Sequence, residues 1–318
     1  MKRIYNKYRA LLGVDKLFNS YSRVNVQTSD QAASDLILSR LKDDKPLMIS
    51  RLGATELSCI LNYQFINKCF IGNIANVVKG FPYFLKFNKS VIDKMTVFSG
   101  FFPSTEANLK RFAEMSIRDM CEIDILASWQ SHESFVYDYF DKSHIRIFLD
   151  DLDAFRHKDP WTEGLKGKKV LVIHPFQDSI EQQYKKRELL FKDPRVLPEF
   201  ELITLKAVQT LGGGSNSQYT DWFNALEGMI KQINDIDFDV ALIGAGAYGM
   251  PLAASIKRKG KKAIHVGGSL QCLFGIKGTR WEAPVYDYNN KFYNEHWVRP
   301  LEMEKPKSAN QVEDGCYW

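Results

Sequence analysis

The stretch Asp239-Val-Ala-Leu-Ile-Gly-Ala-Gly-Ala-Tyr-Gly249, continued by Met-Pro-Leu-Ala-Ala-Ser-Ile-Lys-Arg-Lys-Gly260, constrains the fold of this chain more than any other. A short apolar run, a glycine-rich turn and a longer run closed by glycine read as a buried strand, a sharp turn, and a helix with its stop. Gly244, Gly246 and Gly249 form a G-x-G-x-x-G in the one context where that pattern has physical meaning. Glycine lets the main chain turn tightly and approach a phosphate, and the helix behind it offers unpaired N–H groups and a positive dipole end. The stretch predicts contact with a nucleotide or phosphate, set against close packing alone.

The rest of the second half keeps the same rhythm. Lys169-Val-Leu-Val-Ile-His174, 200–205, 240–243 and 263–266 read as strands, with helices over 179–191, 219–233 and 250–258 between them. Strands alternating with helices imply a parallel sheet with right-handed crossovers, a Rossmann-like α/β fold flanked by helices. In the first half, a helix after Ser29-Asp30, strands at 47–50, 123–127 and 144–149, and a helix over 105–120 are expected, while 64–104 gives no clear pattern. The polar segment 156–167 reads as a hinge. The predicted organisation is a basic helical extension over 1–28, an α/β half over 29–160, and a Rossmann-like half over 161–318 ending in an irregular, aromatic tail.

Composition narrows the function classes. A net charge of +5 from 43 basic and 38 acidic residues is too mild for a nucleic-acid binder and suits an anionic small molecule. The 5 cysteines are widely spaced without a C-x-x-C pair, which excludes a zinc site or disulfide framework and implies a reducing compartment. No apolar run is long enough to span a bilayer, so a cytoplasmic protein is expected, with at most peripheral membrane contact through its basic N-terminus. The oligomeric state stays open.

Four further segments carry candidate chemistry. Arg51-Leu-Gly-Ala-Thr-Glu56 sits at a strand-to-helix turn. There Gly53 permits the turn, Arg51 suits a diphosphate, and Glu56 suits a hydroxyl, a metal or base work; an Arg–Glu ion pair is the plainer reading. His174 follows a hydrophobic strand, with Glu181 on the next helix; both are acid/base candidates against a capping histidine and a solvated helix face. His265 and Gly267 close the strand after the glycine loop, and Lys277, Arg280 and Trp281 follow, able to neutralise phosphates and stack on a ring. Trp129 with Glu133 suits sugar stacking and hydrogen bonding, or equally core packing. A dinucleotide site needs an acidic residue near the end of the strand after the glycine loop, and Ile264-His-Val-Gly-Gly268 has none. The run 212–216 reads as a lid or plain connector.

Arg51-Leu-Gly-Ala-Thr-Glu56, together with the run from His174-Pro-Phe to Arg280-Trp281, resembles the GT-D-type glycosyltransferases of bacterial glycan assembly. The segments Phe238-Asp-Val-Ala-Leu-Ile-Gly-Ala-Gly-Ala-Tyr-Gly-Met-Pro-Leu-Ala and Ala-Ile-His-Val-Gly-Gly-Ser-Leu-Gln resemble a branch encoded among polysaccharide-synthesis proteins. The resemblance runs from about Leu47 to Trp318. It implies a cytoplasmic hexosyltransferase with a nucleotide-sugar donor, UDP-linked, and a glycan acceptor, which lipid-linked forms would bring to the membrane's inner face. It also implies Mn²⁺ or Mg²⁺ held by an Asp-x-Glu pair. Glu56 keeps the glutamate and would be the metal ligand, but Ala54 stands where the family has aspartate, removing half of the protein ligands. Either another acid substitutes, or Arg51, Lys277 and Arg280 stabilise the leaving group.

The expected function is therefore sugar transfer, with Glu56, His174 and Glu181 as catalytic candidates. Arg51, Gly53, Gly244, Gly246, Gly249, His265, Gly267, Lys277 and Arg280 are the donor-binding candidates. The rival expectations are an NAD(P)-dependent oxidoreductase acting on a sugar or sugar nucleotide, and a non-catalytic partner in polysaccharide assembly.

Overall fold

A computed structural model describes residues 24–67, 86–213 and 218–318. The basic extension (1–23), much of the unpatterned segment (68–85) and most of the 212–216 glycine run (214–217) lie outside the described residues.

Seven strands form one sheet in the order β3-β2-β1-β7-β6-β4-β5. They are β1 (Leu47–Ser50), β2 (Ile125–Ser128), β3 (Ile145–Phe148), β4 (Lys169–His174), β5 (Glu201–Lys206), β6 (Val240–Ile243) and β7 (Lys262–His265). Every neighbouring pair is parallel. Burial on both faces makes the inner strands β1, β2, β4, β6 and β7 mostly apolar, while the edge strands β3 and β5 carry exposed polar positions. Period two still sorts them: Met48, Leu171, Ile173, Ala241 and Ile243 point into one core, while Ile49, Val170, Val172, Leu242 and Ile264 point into the other. The strands before and after segment 156–167 are joined edge to edge, Met48 opposite Ala263 and Ile49 opposite Ile264. Segment 156–167 is itself anchored, with Trp161 and Leu165 fully buried.

The first core is covered by α2 (Ala54–Asn67), α3 (Lys89–Val97), α4 (Glu106–Met120), α6 (Trp222–Asn234) and α7 (Gly249–Arg258). The second is covered by α1 (Asp30–Lys42), α5 (Gln177–Tyr184), short turns between β3 and β4, and the C-terminal tail. Every leftward crossover in the strand order runs over the first face and every rightward one over the second, as a single handedness requires. Thr105 caps α4 and Asp221 caps α6, each accepting an N–H from the residue three positions on. Buried Lys262 donates to the carbonyls of Arg40, Leu41 and Asp43 and so closes the C-terminus of α1.

The predicted helix over 179–191 is broken. It ends at Tyr184, whose hydroxyl bonds Phe200 O at 2.9 Å and receives Phe200 N at 2.7 Å, and resumes only as a turn over Arg187–Leu190. Gln183, beside the break, donates to Gly275 O and His296 O, long-range partners invisible in the local pattern. No described helix is long and apolar enough to cross a membrane.

Candidate functional site

The topology opens a crevice. After β1 and β6 the chain turns towards the first face; after β7 and β4 it turns towards the second. Loops that diverge from adjacent parallel strands leave a gap at their carboxyl ends, where ligands of open α/β sheets bind. Two cavities of about 130 and 70 Å³ lie along this gap and share Arg51, Phe98, Gly246 and Tyr317 as walls.

The outer cavity is lined by Arg51, Gly53, Glu56, Trp129, His265 and Arg280, among others. The inner one is lined by His174, Gly244, Gly267 and Gln271, among others. Residues scattered over 230 positions of sequence thus meet at one sheet edge. Gly249 stands behind them as a packing residue, since a Cβ there would lie 2.2 Å from His265 Nε2. Glu181 lies elsewhere: its carboxylate accepts from Thr204 Oγ1 and from Gln177 Nε2, which ties α5 to β5. Lys277 places its ammonium 5.3 Å from the Tyr293 ring, outside the walls of both cavities.

Arg51 leaves β1 at the mouth of the crevice. Its guanidinium carbon sits 5.2 Å from the Trp129 ring centroid, while a Cβ on Gly267 would approach its Cδ to 3.0 Å. Its Nε is buried without a hydrogen-bond partner, and no carboxylate forms an ion pair with it among the described residues. A buried donor on a cation without an anion is costly, and an anionic ligand would satisfy it. Trp129 is fixed in turn: its Nε1 donates to Leu52 O at 2.9 Å, and its backbone N–H reaches Glu133. Glu133 is fully buried and also accepts from Ser128 Oγ and Gln130 N. Burial pushes its pKa up, against the opposing pull of those hydrogen bonds and of the Arg51 charge.

Glu56, on the first turn of α2, folds back over Gly53, so that a Cβ there would overlap its Oε2 at 1.8 Å. Its Oε1 accepts from Ser99 Oγ at 2.8 Å. The two histidines are neutral. His174 Nδ1 accepts the Phe176 N–H at 3.0 Å, which places the ring proton on Nε2 and leaves a donor rather than a base. Its pKa falls to about 3 because burial disfavours the imidazolium. His265 pairs Nδ1 with Ser50 Oγ at 3.1 Å, and burial followed by the nearby Arg51 charge brings its pKa to about 3.

The glycine loop enters α7 through a single 3-10 turn over Gly246–Tyr248. Gly246 has φ 53° and open space where a side chain would stand. The loop is pinned by Tyr248, whose ring stacks on fully buried Trp222 at 4.6 Å and 7°. Burying an aromatic of this size stabilises by roughly 4–6 kcal/mol. By contrast, the helix N-terminus after β4 is filled by the protein itself. Glu304 from the tail accepts from Asp178 N at 2.8 Å, from Ser179 N at 3.2 Å and from Ser179 Oγ. Of the two phosphate-ready turns, the one before α7 faces the cavities without such a plug.

A divalent cation finds a poor donor set here. Glu56 is the one carboxylate lining the two cavities, Ala54 precedes it by two positions, and no group of three His, Cys, Asp or Glu side chains converges among the described residues. The residues present do not fit a protein-held Mn²⁺ or Mg²⁺.

No family model matches the chain, and no curated protein matches it. Two solved structures of a domain of unknown function, number 1792, are similar over 90% of this chain and 98% of theirs, at 11% and 10% identity and TM-scores of 0.39. One is described as having "a distinct glycosyltransferase fold". A TM-score of that size lends no weight to a functional assignment.

Residues that sequence reasoning passed over complete the site. Ser99 holds Glu56, and Val312 and Tyr317 bring the tail back as a wall. Arg280 lies 4.8 Å from the Tyr317 ring and donates to Cys316 Sγ.

Proposed function

We propose that this chain is a glycosyltransferase that takes a sugar from a nucleotide-diphosphate donor, UDP-linked, and passes it to a glycan hydroxyl. The observation that carries the reading is Arg51: a half-buried side chain whose Nε is buried and unpartnered, held between Trp129 and Gly267 beside the glycine loop. That arrangement suits a leaving diphosphate better than a ground-state neutral ligand. The acceptor oxygen bonds to the anomeric carbon as its bond to the phosphate oxygen breaks. The electron pair leaves with the diphosphate, whose negative charge Arg51, Arg280 and the first turn of α7 stabilise. The acceptor proton passes to Glu56, positioned by Ser99. His174 donates a hydrogen bond from Nε2, and neutral His265 shapes the donor pocket.

No step is routed through a metal, because the donor set does not fit one. A nicotinamide reading lacks its ribose-binding acid: β7 ends in a buried, neutral histidine. Donor hydrolysis tests the proposal. The protein incubated with UDP-sugars should release UDP, and Arg51→Ala should abolish that release. A protein that releases no UDP from any sugar nucleotide but oxidises one with NAD would overturn the reading.

A further inference from the structure

A second, wider groove opens beside the crevice, on the far side of Trp129. Its volume is about 730 Å³, and its walls include Trp129, Phe148, Asp150, Arg156 and Lys158. That lies within the range of ligand pockets, roughly 300–1,000 Å³.

The groove is built by the carboxyl ends of β2 and β3. Ser128 pairs with Phe148 across the two strands, and Trp129, next after Ser128, lines the same groove as Phe148 where the strands end. Both are large and apolar, and both are 41% exposed. Their positions are fixed: Trp129 by its bond to Leu52 O, and Phe148 by Asp151, whose Oδ2 accepts the Phe148 N–H at 3.0 Å. Asp151 is itself buried, its other oxygen accepting from Asp30 N. Asp150, Arg156 and Lys158 supply hydrogen-bonding groups of both signs, Asp150 lying 3.7 Å from Arg156 Nη2.

We propose that this groove is the acceptor subsite and holds a hydroxyl-rich oligosaccharide. The proposal rests on the transferase reading above. The pyranose C–H face is apolar and carries slight positive charge, which the negative face of an aromatic ring attracts. Its equatorial hydroxyls need donors and acceptors around the rim, which Asp150 and Lys158 provide. Mixed charge at the rim disfavours a polyanion such as nucleic acid. Trp129 is the shared wall, so a saccharide stacked on Phe148 presents its terminal hydroxyl past Trp129 towards Arg51 and Glu56.

The test uses an array of bacterial-type oligosaccharides probed with the labelled protein, its Phe148→Ala and Asp150→Ala variants, and, in parallel, UDP calorimetry on each. Wild type should bind a defined set of saccharides, and each variant should weaken that binding by about tenfold or more while its UDP affinity stays within about twofold. An array on which wild type binds nothing, or binding that both variants retain in full, would overturn the acceptor subsite. Absence of UDP binding by the wild type would instead overturn the transferase reading, whatever the array shows.

Discussion

Arg51 lies against Gly267, close enough that a Cβ at position 267 would sit 3.0 Å from Arg51 Cδ and 3.1 Å from its Nη1. Gly267 also has φ +83°, a conformation that costs a non-glycine residue about 1 kcal/mol or more. Gly267→Ala should therefore strain the loop after β7 and push the guanidinium out of register. UDP affinity, measured by calorimetry, is expected to fall about tenfold or more, with the melting temperature lowered by a few degrees. An unchanged UDP affinity would remove Arg51 from the diphosphate site.

Gly53 stands in the same relation to Glu56. A side chain at position 53 meets only the end of a flexible carboxylate, so the fold should tolerate Gly53→Ala while Glu56 swings away from Ser99. General-base contributions run to about 10²–10⁴-fold. Gly53→Ala and Glu56→Gln should each lower the transfer rate by about a hundredfold or more with little change in UDP affinity. Full activity in Glu56→Gln would exclude the carboxylate as base.

His174 and His265 are held neutral, with pKa values of about 3 against about 6.5 in an unfolded chain. Between these values the unfolded state takes up protons that the folded state refuses. The stability they contribute is thus full above pH 6.5 and declines as pH falls, by up to about 1.4 kcal/mol per unit for each histidine. Asp119 acts in the opposite sense, burial having raised its pKa to about 6, so wild type and His265→Asn must be compared. Urea unfolding from pH 7 to 4.5 should show wild type losing up to about 3 kcal/mol more than the variant. Parallel curves would contradict a neutral His265.

With Glu56 as the one carboxylate among the described residues lining the cavities, chelation should matter little. UDP release is expected to stay within about twofold in EDTA. A loss under EDTA that Mn²⁺ restores would show that the protein holds a cation by ligands beyond the crevice walls.

The inner strands were legible because each is a short, mostly apolar run between turn residues, and β1, β4 and β6 fall on their expected bounds. Arg51, Gly53, Glu56, His174, Gly244, Gly246, His265 and Gly267 line the two cavities because each lies at or shortly after the carboxyl end of a strand in a parallel sheet. What stayed hidden depends on contacts far apart in sequence. Glu304 fills the helix N-terminus after β4 from 126 positions away. Glu181 has helical spacing compatible with the site, but its partner on β5 turns it aside. Tyr317 becomes a wall only because the tail returns, its carbonyl held by Gln271 Nε2 at 3.0 Å. The edge pairing of β2 with β3 that brings Trp129 and Phe148 to one groove likewise leaves no mark in either segment alone.

Calorimetric titration of the protein with UDP, repeated on Arg51→Ala and with NADH as competitor, decides whether Arg51 serves a sugar-nucleotide diphosphate. UDP should bind wild type, Arg51→Ala should weaken it by about tenfold or more, and NADH should neither bind nor displace it. Binding of NADH with no heat from UDP, or UDP binding indifferent to Arg51, would contradict that role.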